Sequence, residues 1–160
     1  MKKLLIATTL LTLTTTAFAV PNPQVGTLLL QGIVAKKVSI TVTPEAVASA
    51  LVLETSQTDL KVATAVEQSN SKAGYKVTVI SANLGKLKRT DGSEVFAYTL
   101  KYGGAAVGLS TSSGSVVTDS SSASVVNVSK DLAISYAGAA AETMVEGTYA
   151  DTLTINIASK

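Results

Sequence analysis

The 160-residue chain contains no cysteine and no histidine. Without cysteine an exported protein has no disulfide staple and must hold itself by burial and hydrogen bonds alone. Without either residue type, catalysis would fall to carboxylates, lysine or serine. No paired acidic motif and no Ser-x-x-Lys signal in a supporting context occurs, so an enzyme is not expected. Aromatics are scarce as well, two phenylalanines and five tyrosines, which leaves little to stack on sugars. No calcium-loop spacing is present, and no metal or cofactor is expected.

Long apolar runs are lacking except at the start. Residues 1–19 have a basic beginning (Lys2, Lys3), an apolar, threonine-rich middle and the small-x-small end Ala17-Phe18-Ala19. This is the pattern of a secretory signal peptide cleaved before Val20. A membrane anchor is the poorer reading, because the apolar run is too short to span and is broken by six threonines. Stable membrane insertion is therefore not expected.

Beyond residue 19 the chain has the length of one domain, enough to bury a real core. Eleven basic residues there face eleven acidic ones. Neutrality argues against nucleic acid as a partner and does nothing to discourage self-association. The basic cluster Lys86, Lys88, Arg89 lacks flanking aromatics and reads as a solvated loop. Asp59, Glu67, Asp91, Asp119 and Asp151 are scattered, and are expected at solvated strand ends.

The order of elements follows from alternation. Two prolines, Pro21 and Pro23, make residues 20–24 a linker. Residues 27–34 then form an apolar strand, with Leu28, Leu30, Gly32 and Val34 on one side and Thr27, Leu29, Gln31 and Ile33 on the other. A second strand carries Val38, Ile40 and Val42 against Ser39, Thr41 and Thr43, and Pro44 ends it. Residues 50–53 read as a short strand, with a helical turn over residues 45–49 as the alternative. Leu60, Val62, Thr64 and Val66, then Tyr75, Val77 and Val79, look like a hairpin about the turn 69–74.

A polar excursion over 83–94 follows, then the alternating Phe96, Tyr98, Leu100, Tyr102 and a weaker strand at 105–109 after Gly103-Gly104. Residues 110–124 read as a long serine-rich surface loop. Val126, Val128, Leu132, Ile134 and Tyr136 make the next strand or pair of strands, with a break near Lys130-Asp131. The alanine-rich stretch 138–147 has room for a helical turn. The last strand carries Leu153, Ile155 and Ile157 against Thr152, Thr154 and Asn156. Seven or eight short strands after residue 36, β-branched enrichment and no long period-3.6 stretch predict an antiparallel β-sandwich.

Three stretches carry a resemblance to a family. Residues 27–34, with the row Leu28, Leu30, Gly32, Val34, look like a donor strand. Lys37-Val38-Ser39-Ile40-Thr41-Val42 looks like a first core strand. Glu146-Gly147-Thr148-Tyr149-Ala150-Asp151-Thr152-Leu153-Thr154-Ile155 is similar to the Gly-Thr-Tyr-x-Asp-Thr-Leu-x-Val/Ile closing strand. Together the chain resembles the chaperone–usher pathway pilins, including their secreted relatives of the spore-coat-U type. Many pilins carry a cysteine where Val38 stands and a partner at the end of the second strand; this chain has neither.

The resemblance implies an all-β, immunoglobulin-like sandwich that is incomplete and is completed by a donor strand from a neighbouring subunit. It divides the chain into a signal peptide (1–19), an N-terminal extension (20–35) and a pilin-like domain (36–160). The implied function is a structural subunit of a bacterial fimbria that reaches the cell surface through the periplasm. Its implied partners are other pilin subunits, a periplasmic chaperone that binds Leu153, Ile155 and Ile157, and an outer-membrane usher. The alternative from another class is a secreted or surface binding module, an adhesin whose loops 83–94 or 110–124 recognise a host or matrix glycan. For residues 27–34 the plainer alternative is the first strand of a self-complete sandwich, with Gly32 a bulge or weak point.

Overall fold

A computed structural model of the chain describes residues 25–160. The expected signal peptide and the two linker prolines lie outside the described residues. Residues 25–33 form no strand, and Leu28, Leu29, Leu30 and Ile33 are exposed.

The unit Val34–Lys160 is an antiparallel all-β sandwich. Its strands are β1 (Val38–Pro44), β2 (Gln57–Ser69), β3 (Tyr75–Ser81), β4 (Lys86–Arg89), β5 (Val95–Ala97), β6 (Thr99–Tyr102), β7 (Ala105–Val107), β8 (Ser115–Ser120), β9 (Val126–Tyr136), β10 (Tyr149–Ala150) and β11 (Leu153–Ser159). One sheet has the order β1-β2-β9-β6-β7, a second β11-β3-β8, and a small third β10-β4-β5. The alternating rows do what their period requires: Tyr75, Val77 and Val79 of β3, Phe96 of β5, Tyr98 at the junction, and Leu100 and Tyr102 of β6 all enter the core. Leu132, Ile134 and Tyr136 of β9 meet them, and Phe96 and Tyr136 pack edge to face with centroids 5.5 Å apart.

Five expectations from the sequence are corrected. First, β2 and β3 are not a hairpin. Both edges of β2 are taken, by β1 and β9, so the chain crosses to the other sheet through the turn at 70–74. Gly74 there has φ +83°, and a Cβ would collide with the carbonyl of Ser120, so only glycine closes this turn. Second, residues 50–53 are not a strand. After Pro44 the chain makes a 3-10 turn at Ala46–Ser49, closed by Ala50 N to Val47 O (3.0 Å), and Leu51 and Leu53 then pack half-buried on the core without a ladder.

Third, the serine-rich loop contains β8, which pairs with β3 from Tyr75↔Ser120 to Val79↔Ser115. Its centre, Val116-Val117-Thr118, is β-branched throughout and favours an extended chain even between serines. Fourth, the polar excursion holds β4, whose Leu87 is buried. Fifth, β9 is one unbroken strand: the irregularity lies on its partner, where Lys61↔Ala133 is followed by Ala63↔Leu132 and Val62 is left as an extra residue.

That bulge has a consequence for the core. Before it Val62 points inward; after it the inward row is Ala63, Ala65, Glu67 and Ser69, and Val66 is displaced from the core row. A one-residue slip exchanges the two faces of a strand, so Glu67, expected at a solvated end, is completely buried.

Candidate acceptor groove and its polar anchors

Two sheet edges lie next to each other without being joined. β1 has β2 on one side and no strand on the other, and β11 has β3 on one side only. Lys36, just before β1, donates to Ser159 Oγ at the far end of β11 (2.8 Å), while Val42 and Pro44 share a wall with Leu153 and Ile155. The start of β1 therefore meets the end of β11, and the two strands run antiparallel. Their Cα atoms come within 8 Å in places, yet they exchange no ladder hydrogen bonds.

Between them, at the Pro44 and Leu153 end, is an apolar groove of about 340 Å³. Its floor is the core itself: Val62, Leu132, Ile134, Leu87 and Tyr98 all line it. Leu153, Ile155 and Ile157, expected in the core, are half-buried, and Val42 is 40% exposed. Four large side chains that an ordinary sandwich would cover are thus left partly in water along this seam.

The groove's end is fixed by Asp151. It was expected to be a solvated strand end; it is half-buried and accepts four hydrogen bonds. Ser81 Oγ (2.6 Å) and Tyr98 OH (2.5 Å) donate to Oδ2, and the backbone amides of Asn83 (2.9 Å) and Thr152 (2.8 Å) to Oδ1. Ser81 Oγ in turn accepts from Gly85 N at 2.7 Å. The carboxylate so locks the turn between β3 and β4 to the junction between β10 and β11. Burial pushes the Tyr98 phenol well above its ordinary range, and the adjacent Asp151 adds to the shift.

On the other side of the sandwich Glu67 joins the two large sheets. Tyr102 OH of β6 (2.6 Å) and Thr118 Oγ1 of β8 (2.8 Å) donate to one oxygen, and Tyr75 OH of β3 (2.8 Å) to the other. Burial, then the carboxylate, pushes Tyr75 up to about 12 and Tyr102 higher still. Among the described residues no buried side-chain polar atom lacks a partner. Both carboxylates are surrounded by hydroxyls and amides already committed to holding strands together, an arrangement that positions backbone and offers no free nucleophile.

Leu28, Leu30 and Val34 are more than four-fifths exposed, and a Cβ at Gly32 would meet nothing within 4 Å. Of the groove's floor, Leu87 was missed in the sequence because it sits in a segment read as a polar excursion, and Leu51 beside it was read as part of a strand that does not form. Leu87 alternates with Lys86 and Lys88, and that short polar-apolar-polar signal was available. No family model matches this chain, and no curated protein does.

Proposed function

We propose that the protein is a structural subunit of a bacterial surface fimbria, exported through the periplasm, in which residues 27–34 of one copy fill the groove between β1 and β11 of the next. The observation that carries this reading is an apolar seam with two unpaired strand edges, in a chain whose own apolar segment at 27–34 forms no strand. The lengths agree: the row from Leu28 to Val34 spans seven residues, as do β1 and β11. Strand addition of this kind is a general recognition mode, in which ladder bonds give affinity and alternate side chains fill pockets. The fold completed this way is immunoglobulin-like in the sense the pilin resemblance implies.

The energetics favour assembly. Burying Leu28, Leu30 and Val34 stabilises by roughly 1.5–3 kcal/mol each, comparable in sum with the roughly 5–15 kcal/mol of a whole domain. A strand seated between two others needs them about 9.6 Å apart, and β1 and β11 are closer than that in places, so insertion must spread the lips. Donor and groove are different surfaces, so the contact is heterologous and propagates instead of closing. Before assembly a periplasmic chaperone strand occupies the β11 edge, and an outer-membrane usher receives the subunit.

Gly32 supports the reading. In its own chain neither a positive φ nor a close neighbour calls for glycine there. Its constraint then lies in another copy, where the donor backbone passes close to the acceptor floor. Gly32→Leu should fold and be exported yet fail to polymerise, or polymerise far more slowly than Gly32→Ala, since overpacking costs roughly 1–3 kcal/mol or more. In a self-complete sandwich the same change would be neutral or helpful, because glycine is a poor strand former. Wild-type fibre yield from Gly32→Leu would sink the proposal at this register.

A further inference from the structure

The groove does not stop at the start of β11. It continues into a second hollow of about 590 Å³, which shares Leu51, Leu87 and Asp151 with the first. The hollow has an apolar wall that includes Leu53 and Met144, and its rim carries the exposed carboxylates of Glu54 and Glu146. Neither carboxylate forms an ion pair among the described residues. Arg89 stands close, donating weakly to the Glu146 carbonyl (3.5 Å), but its charge is already met by Glu94 (2.7 Å) and Asp91 (3.2 Å). Lys86 and Lys88 alternate with the buried Leu87 and stand on the opposite face of β4.

The other end of the groove has the opposite sign. Lys36 and Lys37 precede β1 there, Lys37 O accepts from Asn70 N (3.0 Å) in the turn that carries Lys72, and Lys160 N donates to Gly74 O (3.2 Å). Lys76 faces Ala158 on β11 and Asp119 on β8. Against these five lysines the neighbouring acid is Asp119, paired with Lys160. A sequence that is formally neutral after residue 19 has thus sorted its charge along the groove axis, basic where β1 begins and acidic where β11 begins.

This sorting bears on the assembly proposed above, and the inference rests on that reading. We propose that the Lys36–Lys37 pair of one copy docks over the Glu54 and Glu146 rim of the next, an end-to-end ionic contact that sets the direction of the inserted segment. If Val34 of the donor lies beside Leu153 of the acceptor, Lys36 follows two residues on, about 7 Å further along, over the acidic hollow. The inserted segment then runs antiparallel to β11. The reverse direction would carry the same two lysines to the end that holds Lys72, Lys76 and Lys160, where like charges repel. Rim charges of this kind act mostly on the rate of encounter.

The test uses the full chain with residues 1–19 removed, comparing polymerisation rates of the unsubstituted protein, Glu54→Lys/Glu146→Lys, Lys36→Glu/Lys37→Glu, and the four changes combined, at low salt and at 0.5 M salt. Each charge-reversed pair should assemble at least tenfold more slowly at low salt, the combination should regain most of the rate, and added salt should narrow the differences. A synthetic peptide of residues 25–34, which carries no lysine, should bind the unsubstituted and the Glu54→Lys/Glu146→Lys monomers equally. If it binds both while the reversals leave assembly unchanged, or the combined protein is no faster than the single pairs, the ionic contact is refuted and the donor strand stands. Failure of the peptide to bind any monomer overturns the donor-strand reading and this inference with it.

Discussion

The two sides of the sandwich are held differently. On the Glu67 side, β2, β3, β6 and β8 converge on one carboxylate, and every strand there has ladder partners or hydroxyl ties to the opposite sheet. On the groove side, β1 and β11 lie beside each other with no ladder between them, and the core shows through. One side is tied across the two sheets by a buried carboxylate; the other leaves apolar core open between two strand edges. The difference teaches where the fold's stability resides.

The largest expected effect breaks the closed side. Glu67→Ala would leave the hydroxyls of Tyr75, Tyr102 and Thr118 without their buried acceptor, at about 1–3 kcal/mol for each that finds no substitute. Urea denaturation of the monomer should show a loss of about 3 kcal/mol or more, not recovered by donor peptide. Recovery by the peptide would mean the two sides are not independent.

On the open side Ile157→Asp places a charge in a half-buried row whose neighbours are apolar. Burying it unpaired is costly, so export yield and surface display should fall sharply, while Asn156→Asp, on the exposed row of β11, should leave both close to normal. Equal display of the two variants would show that the row is never covered.

Hydrogen exchange sharpens the contrast without mutation. Amides along the centre of β2 and β9 should exchange slowly in the free monomer, those at the outer edges of β1 and β11 quickly. Adding the 25–34 peptide should protect the second set and leave the first unchanged. Uniform protection in the free monomer would remove the distinction.

The smallest effect is in alkali. Tyr75, Tyr98 and Tyr102 all have raised pKa values in the folded state, with burial as the first cause. A raised folded value means their neutral forms stabilise the fold fully below pH 10, the ordinary tyrosine value, and that this contribution is lost as pH rises through the folded values. Two of the three sit on Glu67, so alkaline melting above pH 10 should weaken the closed side first; a melting temperature flat from pH 9 to 12 would contradict this.

Much of the fold was legible because alternation is a direct record of a strand's two environments. Tyr75, Val77 and Val79, or Phe96 through Tyr102, could scarcely be read otherwise. What escaped was set by pairing. Whether β2 turns into β3 as a hairpin or crosses to the other sheet depends on who else claims its edges, and no local pattern records that. The Val62 bulge hid Glu67 for a similar reason: strict period-2 reading kept Val66 inward and the carboxylate outward. Asp151 stood within the stretch that resembles a pilin's closing strand, but its role depends on Ser81 and Tyr98, far away in the chain. The seam between β1 and β11 escaped too, since an unpaired strand edge leaves no mark in the alternation of the residues that form it.

The ladder between β1 and β2 runs unbroken over seven pairs, from Val38↔Ser69 to Pro44↔Ala63, and begins four residues after Val34. Hydrogen bonds in an antiparallel pair lie across the strands. A pull on Val34 directed along β1 therefore loads all of them together, in shear, instead of peeling them one at a time. In a fibre joined through that segment, tension would pass from one subunit's groove into the seven-pair ladder at the next subunit's β1 edge. Such a fibre would resist tension along its axis through hydrogen bonds loaded in parallel, with no disulfide in it.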